Sequence, residues 1–176
     1  MPSRAASAND ALRVEALDKR HDRASFGCGI EALDRYLRQQ ARQDADKHVA
    51  APFVLVEPPS AEVLGYYTLS ASVVDVTDVA DELAQKLPRY PQLPVTLIGR
   101  LAVDARLKGR GCGSLLLMDA LRRSLAHSVE VAAMAVIVDA KDDAAAGFYR
   151  HFDFRPLQTT PRRMYLPMKT VASVLG

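Results

Sequence analysis

Residues 108–114 read KGRGCGS, with glycine at every second position: Gly109, Gly111 and Gly113. Glycine adopts positive φ freely and offers its backbone N–H with no Cβ in the way. Exposed amides just ahead of a helix, whose dipole is positive at its start, suit a phosphate. Lys108 and Arg110 would place cationic charge at the rim, with Cys112 and Ser114 carrying the chain into the helix. A P-loop requires GxxxxGK[ST], which is absent. A dinucleotide fingerprint requires GxGxxG, but the third position after Gly109 and Gly111 is Ser114. A phosphate cradle of another kind and a plain tight turn both remain open.

The elements needed to hold such a loop flank it. TLIGRLAVD before it reads as a strand, and CGSLLLMDALRRSLAHS after it sets Leu115, Met118, Leu121, Arg122 and Leu125 at helical spacing. Upstream, from Ile30, the pattern predicts a helix in one piece or two, with Leu33, Tyr36, Leu37 and Ala41 on one stripe and Arg35, Arg38, Arg42 and Lys47 on the other side. PFVLVE and VLGYYTLSASVV, separated by the turn PPS, read as strands of a meander. DVADELAQKL reads as a short amphipathic helix, ended by LPRYPQLP, whose prolines force extended or turning backbone. Downstream, VAAMAVIVD is a strand apolar enough to be covered on both faces. KDDAAAGFYRHF is a helix opened by acids, and RRMYLPMK is a last strand whose Pro167 points to an edge. A meander followed by alternating helices and strands predicts an α/β (α+β) fold: a mixed central sheet flanked by helices. We expect a single domain over 1–176, with 1–11 as a flexible arm.

The charges are unevenly distributed. The net charge is +2, yet 49–99 holds six acids against Lys86 and Arg89, whereas 100–123 holds six bases against Asp104 and Asp119. From position 150 onward there are five bases against Asp153. A fold uniting the two basic segments would present a positive face to a polyanion; bases scattered over a solvated surface are the alternative. Two cysteines, Cys28 and Cys112, match no metal spacing and are too few for a disulfide framework, so no metal is expected and a reducing, cytoplasmic setting is. No apolar stretch is long enough to span a bilayer.

IGRLAVDARLKGRGCGSLLL, at 98–117, resembles the central motif of the GCN5-related N-acetyltransferases, whose Q/R-x-x-G-x-G/A loop binds the pyrophosphate of acetyl-CoA. The resemblance implies a loop of Lys108, Gly109, Arg110, Gly111, Cys112 and Gly113, with Lys108 replacing the usual Gln or Arg. An offset alignment from Arg106 also satisfies the pattern, but the first puts all three glycines in the turn. Leu101, Ala102 and Val103 would lie beside the pantetheine arm through their main chain. DDAAAGFYRHFDF is similar to the last helix of the family, with Asp142 at the usual Asn position, Phe148 and Tyr149 as the aromatic pair, and Asp153 in place of the usual glycine. The resemblance places Tyr149 beside the cofactor sulfur. There a phenol of pKa about 10 is a reasonable acid for the departing thiolate. Its alternative is a core aromatic. No histidine of His48, His127 and His151 has a partner spaced as a dyad.

A narrower resemblance covers nearly the whole chain. FGCGIEALDRYLRQQARQDADKH, LGYYTLSA, LPRYPQLPVTLIGRLAVD and FDFRPLQ…RRMYLPM, in that order, are similar to the acetyltransferase toxins of bacterial toxin–antitoxin pairs. That resemblance implies acetylation of the α-amino group of aminoacyl-tRNA, a ribbon-helix-helix antitoxin partner and a homodimer. Arg35, Arg38, Arg42, Arg89, Arg100, Arg162 and Arg163 are the candidates for phosphate contacts to the RNA. Rival readings are a housekeeping acetyltransferase acting on a protein N-terminus, a polyamine or another small amine, and a module that binds acetyl-CoA without catalysis.

Overall fold

A computed structural model of the chain describes residues 11–176. Apart from Ala11, the expected N-terminal arm lies outside the described residues. Seven strands join in one sheet, in the order first, second, third, fourth, fifth, seventh and sixth along the chain. The chain divides into two compact units, Met1–Thr68 with Arg100–Asp119, and Leu69–Gly99 with Ala120–Gly176.

In the first unit, β1 (Arg13–Ala16) pairs antiparallel with β2 (Ala51–Val56), Arg13 opposite Val56. β1 is too short and too charged to stand out in the sequence, and its register is set by β2. The helix expected from Ile30 is continuous but irregular: α1 (Glu31–Arg35), a π-helical stretch over Tyr36–Gln40, then α2 (Ala41–Asp46). Its predicted stripe packs inward, burying Tyr36, Leu37 and Ala41 with Phe26, Val54 and Tyr66 in one cluster. β3 (Gly65–Asp75) begins in this unit with a glycine dictated by packing, since a Cβ there would sit 3.0 Å from Leu116 Cδ1 and 3.1 Å from the Ala102 carbonyl oxygen.

In the second unit, a short α3 (Asp81–Ala84) precedes β4 (Gln92–Val103), which starts earlier than TLIGRLAVD because the extended backbone at Pro94 continues the strand. β4 pairs parallel with β5 (Ala135–Asp139), from Val95 opposite Ala135 to Ile98 opposite Val138. β5 is buried from Ala135 to Val138, as its unbroken apolar run predicted. α5 (Asp143–His151) leads to β6 (Arg155–Pro156) and β7 (Arg163–Pro167), and α6 (Met168–Leu175) closes the chain. β7 is not the edge that Pro167 suggested. It pairs with β5 on one side and with the two-residue β6 on the other, and Pro167 lies beyond the β6 pairs at Tyr165 and Met164. The proline thus removes no donor that a neighbour needs. Val74, Leu93, Val95, Ile137 and Tyr165 belong to this unit's core.

Candidate functional site

Within the first unit, β4 ends in Leu101, Ala102 and Val103, with Ala102 buried and its two neighbours half-buried. Asp104 then turns the chain. Its carboxylate accepts from the Gly27 N–H (3.2 Å), the Arg106 N–H (2.9 Å) and the Arg106 guanidinium (2.8 and 3.1 Å) while its side chain is almost fully buried. The Arg106 hydrogen bonds hold the Asp104 carboxyl below the usual carboxylate range. Arg106 also donates to Glu62 at 2.7 Å. These bonds fix a single 3₁₀ turn, Ala105–Leu107, and so the start of the glycine loop. Asp104 was not singled out from the sequence, where an acid at a strand end carries no distinguishing spacing.

Lys108, Gly109, Arg110 and Gly111 are all exposed. Gly109 and Gly111 take φ of +80° and +75°, the left-handed region that glycine favours. Gly113 does not belong to the turn: it is the second residue of α4 (Cys112–His127), which corrects the expectation of three turn glycines. The first-turn amides of Cys112, Gly113 and Ser114 have no acceptor four residues back within the helix. Cys112 is buried, and burial raises its thiol, so it offers backbone rather than a thiolate. A Cβ on Gly109 would meet nothing within 4 Å, so the space at that residue is open. Two left-handed glycines, a helix start and two exposed cations fit a pyrophosphate.

Within the second unit, Asp142 caps α5, accepting the Ala145 N–H on Oδ1 at 2.8 Å. Asp therefore does there what Asn would do for the helix, and its carboxylate is engaged in the cap. At the other end Asp153 stands at φ +69°. Its N–H donates to the Arg150 carbonyl (2.9 Å) and the Phe154 N–H to the Tyr149 carbonyl (3.2 Å), the two bonds of a Schellman turn. The accompanying apolar contact is Phe154 on Tyr149, with ring centroids 5.5 Å apart. Phe148 packs against the same ring at 5.2 Å. The Tyr149 ring is thus locked. Burial, followed by the charge of Asp139, pushes its phenol up to about 12, so it stays protonated at neutral pH. No fully buried side-chain polar atom lacks a partner among the described residues. The Tyr149 hydroxyl, which forms no hydrogen bond there, therefore reaches the surface.

The arginines part company. Arg162 and Arg163 are engaged by carboxylates, Arg162 with Asp143 at 3.2 Å and Arg163 with Asp139 at 2.9 and 3.3 Å. Arg35 pairs with Glu31 at 3.2 Å, and Arg38 donates to the Phe26 carbonyl at 2.8 Å. Arg42 is half-buried, and its charge adds to burial in lowering the guanidinium of Arg23. Arg89 is exposed in the turn before β4. Arg100 lies over the Tyr36 ring, 3.5 Å from its centroid. Of the histidines, His48, His127 and His151 are exposed, whereas His21 is buried and bound to Glu15 at 2.7 Å. No group of His, Cys, Asp and Glu among the described residues could hold a metal, and no helix there is long and apolar enough to cross a membrane.

A strand running into a glycine turn at a helix start is an arrangement that suits a phosphate-bearing ligand. The acetyltransferase (GNAT) family model matches residues 30–154, and the chain belongs to that family. It is 35% identical over 155 residues to the tRNA-acetylating toxin of Mycobacterium tuberculosis, spanning 88% of this chain and 91% of the relative. Among solved structures, it resembles AtaT complexed with acetyl-methionyl-tRNAfMet (TM-score 0.88, 28% identity, 94% and 99% of the two chains). It also resembles a mutant of the AtaT toxin bound to the C-terminus of the antitoxin AtaR and acetyl-CoA (TM-score 0.80, 27% identity, 94% and 98%).

Proposed function

We propose that the whole chain acts as one catalytic domain that moves an acetyl group from acetyl-CoA to the α-amino group of aminoacyl-tRNA, as the toxin of a toxin–antitoxin pair. The observation that carries this reading is the end-to-end match to a tRNA-acetylating toxin. Acetyl-CoA supplies the activated acetyl thioester. The Lys108, Gly109, Arg110, Gly111 loop and the first amides of α4, through Ser114, hold its pyrophosphate, and Leu101, Ala102 and Val103 line its arm with main chain. Tyr149 Oη gives its proton to the leaving sulfur. The burial that raises this phenol also raises a thiolate formed in the same surroundings, so the pair stays matched. An ester lowers the pKa of the neighbouring α-amine, so the acceptor is already a neutral nucleophile and needs no histidine base.

Phosphate contacts fall to Arg38, Arg42 and Arg89, with Arg35, Arg162 and Arg163 weaker candidates because carboxylates already hold them. Partners in this reading are a ribbon-helix-helix antitoxin and a second copy of the chain, in the cytoplasm. Incubation with acetyl-CoA and charged tRNA should yield N-acetyl-aminoacyl-tRNA. Acetylation of only a polyamine or a peptide in parallel reactions would replace this reading with that of a housekeeping enzyme.

A further inference from the structure

Residues of α1, the π-helical stretch and Arg100 line an open cavity of about 310 Å³, walled by Leu33, Arg35, Tyr36, Gln39, Gln40 and Arg100. Neither the phosphate loop nor Tyr149 uses it. At 3.5 Å from the Tyr36 centroid, the Arg100 guanidinium lies flat on the ring, because an edge-on fork would drive a nitrogen into the π face. The platform beneath is fixed. Tyr36 stacks on Tyr66, centroids 6.2 Å apart and planes 18° apart, and its hydroxyl donates to Asp44 Oδ2 at 2.8 Å. Asp44 also accepts from Gln40 Nε2 at 2.9 Å and lies near enough to Arg100 to feel its charge, but no ion pair or hydrogen bond to a carboxylate holds the Arg100 guanidinium among the described residues. A flat cation that no carboxylate holds in an ion pair therefore faces a cavity whose other walls offer amides and a second arginine. The stretch beneath it, Tyr36–Gln40, is π-helical, a form frequent at functional sites.

We propose that this cavity receives one unpaired nucleotide of the RNA acceptor, its base stacked on the Arg100 guanidinium and its edge beside Gln39 and Gln40. This deepens the aminoacyl-tRNA reading and rests on it: such an acceptor carries its amino group at a single-stranded 3′ end. Bases stack on arginine planes whatever their sequence, and glutamine amides match their edges. The volume lies at the lower limit of ligand pockets, about 300 Å³, which admits one nucleotide and excludes a duplex. An apolar amino-acid side chain would gain little from a guanidinium.

The test uses the full chain and an uncharged acceptor-stem hairpin with 2-aminopurine as its unpaired 3′-terminal base, whose fluorescence falls on stacking. Wild-type protein should quench it. Arg100→Lys keeps the charge but removes the plane, and should abolish the quenching and weaken hairpin binding about tenfold. Gln39→Ala, at an exposed position, should weaken binding about threefold and carries the test if Arg100→Lys fails to fold. No quenching by the wild type, or equal quenching and affinity in the folded variants, would overturn the proposal. So would Arg100-dependent binding of amino-acid methyl esters in place of the hairpin. Quenching that depends on Arg100 in a protein that fails to acetylate charged tRNA would remove the acceptor reading and leave the nucleotide site. Acetylation without such quenching would do the reverse.

Discussion

The glycine loop and the end of α5 both hold backbone in the left-handed region, one with Gly109 and Gly111, the other with Asp153. The α5 turn is closed: two backbone hydrogen bonds and the Phe154–Tyr149 contact complete it, and the Asp153 side chain is left in solvent. An aspartate is accepted there at a cost of about 1 kcal/mol. The loop is open. A Cβ on Gly109 would touch nothing of the protein, so packing gives no reason for the residue, unlike Gly65, where Leu116 and Ala102 leave no room. One turn ends a helix and fixes a side chain, whereas the other leaves open space at Gly109, where the proposed pyrophosphate would lie. Family position alone would have made glycine the expected residue in both; only the loop retains it.

Placing an aspartate in the open turn should break this contrast most severely. In Gly111→Asp the backbone strain is only that already borne at Asp153, but a carboxylate would meet the pyrophosphate. Like charges in contact cost several kcal/mol, so acetyl-CoA affinity should fall by more than about a hundredfold. Calorimetry on the folded variant decides it, and unchanged affinity would remove the phosphate reading of the loop. Next in size is Tyr149→Phe, which removes an oxygen and leaves the packing with Phe148 and Phe154. Turnover should drop about a hundredfold with acetyl-CoA affinity held within about twofold; a fully active variant would sink the proton-donor role. The raised phenol also sets a pH signature. Its stabilisation of the fold is complete below the unfolded value of about 10 and is lost as pH rises through about 12. Phenylalanine at this position should flatten that part of the alkaline stability curve.

Most of this frame was legible in the sequence because it rests on local patterns. The strand, glycine loop and helix around 98–127, and Tyr149 on its helix, follow from periodicity and turn residues. What escaped depends on partners distant in sequence. β1 is four residues whose pairing is supplied by β2, and β7 ceases to be an edge only through the two residues of β6. Asp104 is decisive because Gly27, 77 positions away, donates to it. Tyr36 read as one more core residue at helical spacing. Its role as the bed for Arg100 appears only when β4 brings that arginine over its ring. The irregular helix was hidden too, since no glycine or proline marks the π-helical stretch.

The loop differs from the α5 turn in a further respect: it depends on a buried charge. Asp104→Ala would leave the Gly27 N–H and the Arg106 donors without their acceptor, at a cost of about 2 kcal/mol in unfolding free energy. The sign with pH follows from the lowered carboxyl. Its contribution is present above the unfolded value of about 3.9 and is lost as pH falls through the lower folded value. The wild type should therefore lose more stability than the variant on acidification below about pH 4, as read by denaturant titration. Equal acid sensitivity would mean that the Asp104 bonds contribute nothing net.

The smallest effect runs the comparison backwards. Asp153→Gly restores to the closed turn the residue that the open one retains, and should stabilise the protein by about 1 kcal/mol, because left-handed backbone is free for glycine and strained for aspartate. Glycine also has more freedom to lose from the unfolded chain, which subtracts part of that gain. The melting temperature should rise by roughly 3 °C, with acetyl transfer unchanged because the Tyr149 ring keeps both of its aromatic neighbours. A melting temperature that falls instead would mean that the Asp153 side chain stabilises this turn by more than its backbone strain costs. The tolerance of a non-glycine residue at the end of α5 would then lie in that side chain, and the contrast with the loop would be one of chemistry rather than of open and closed space.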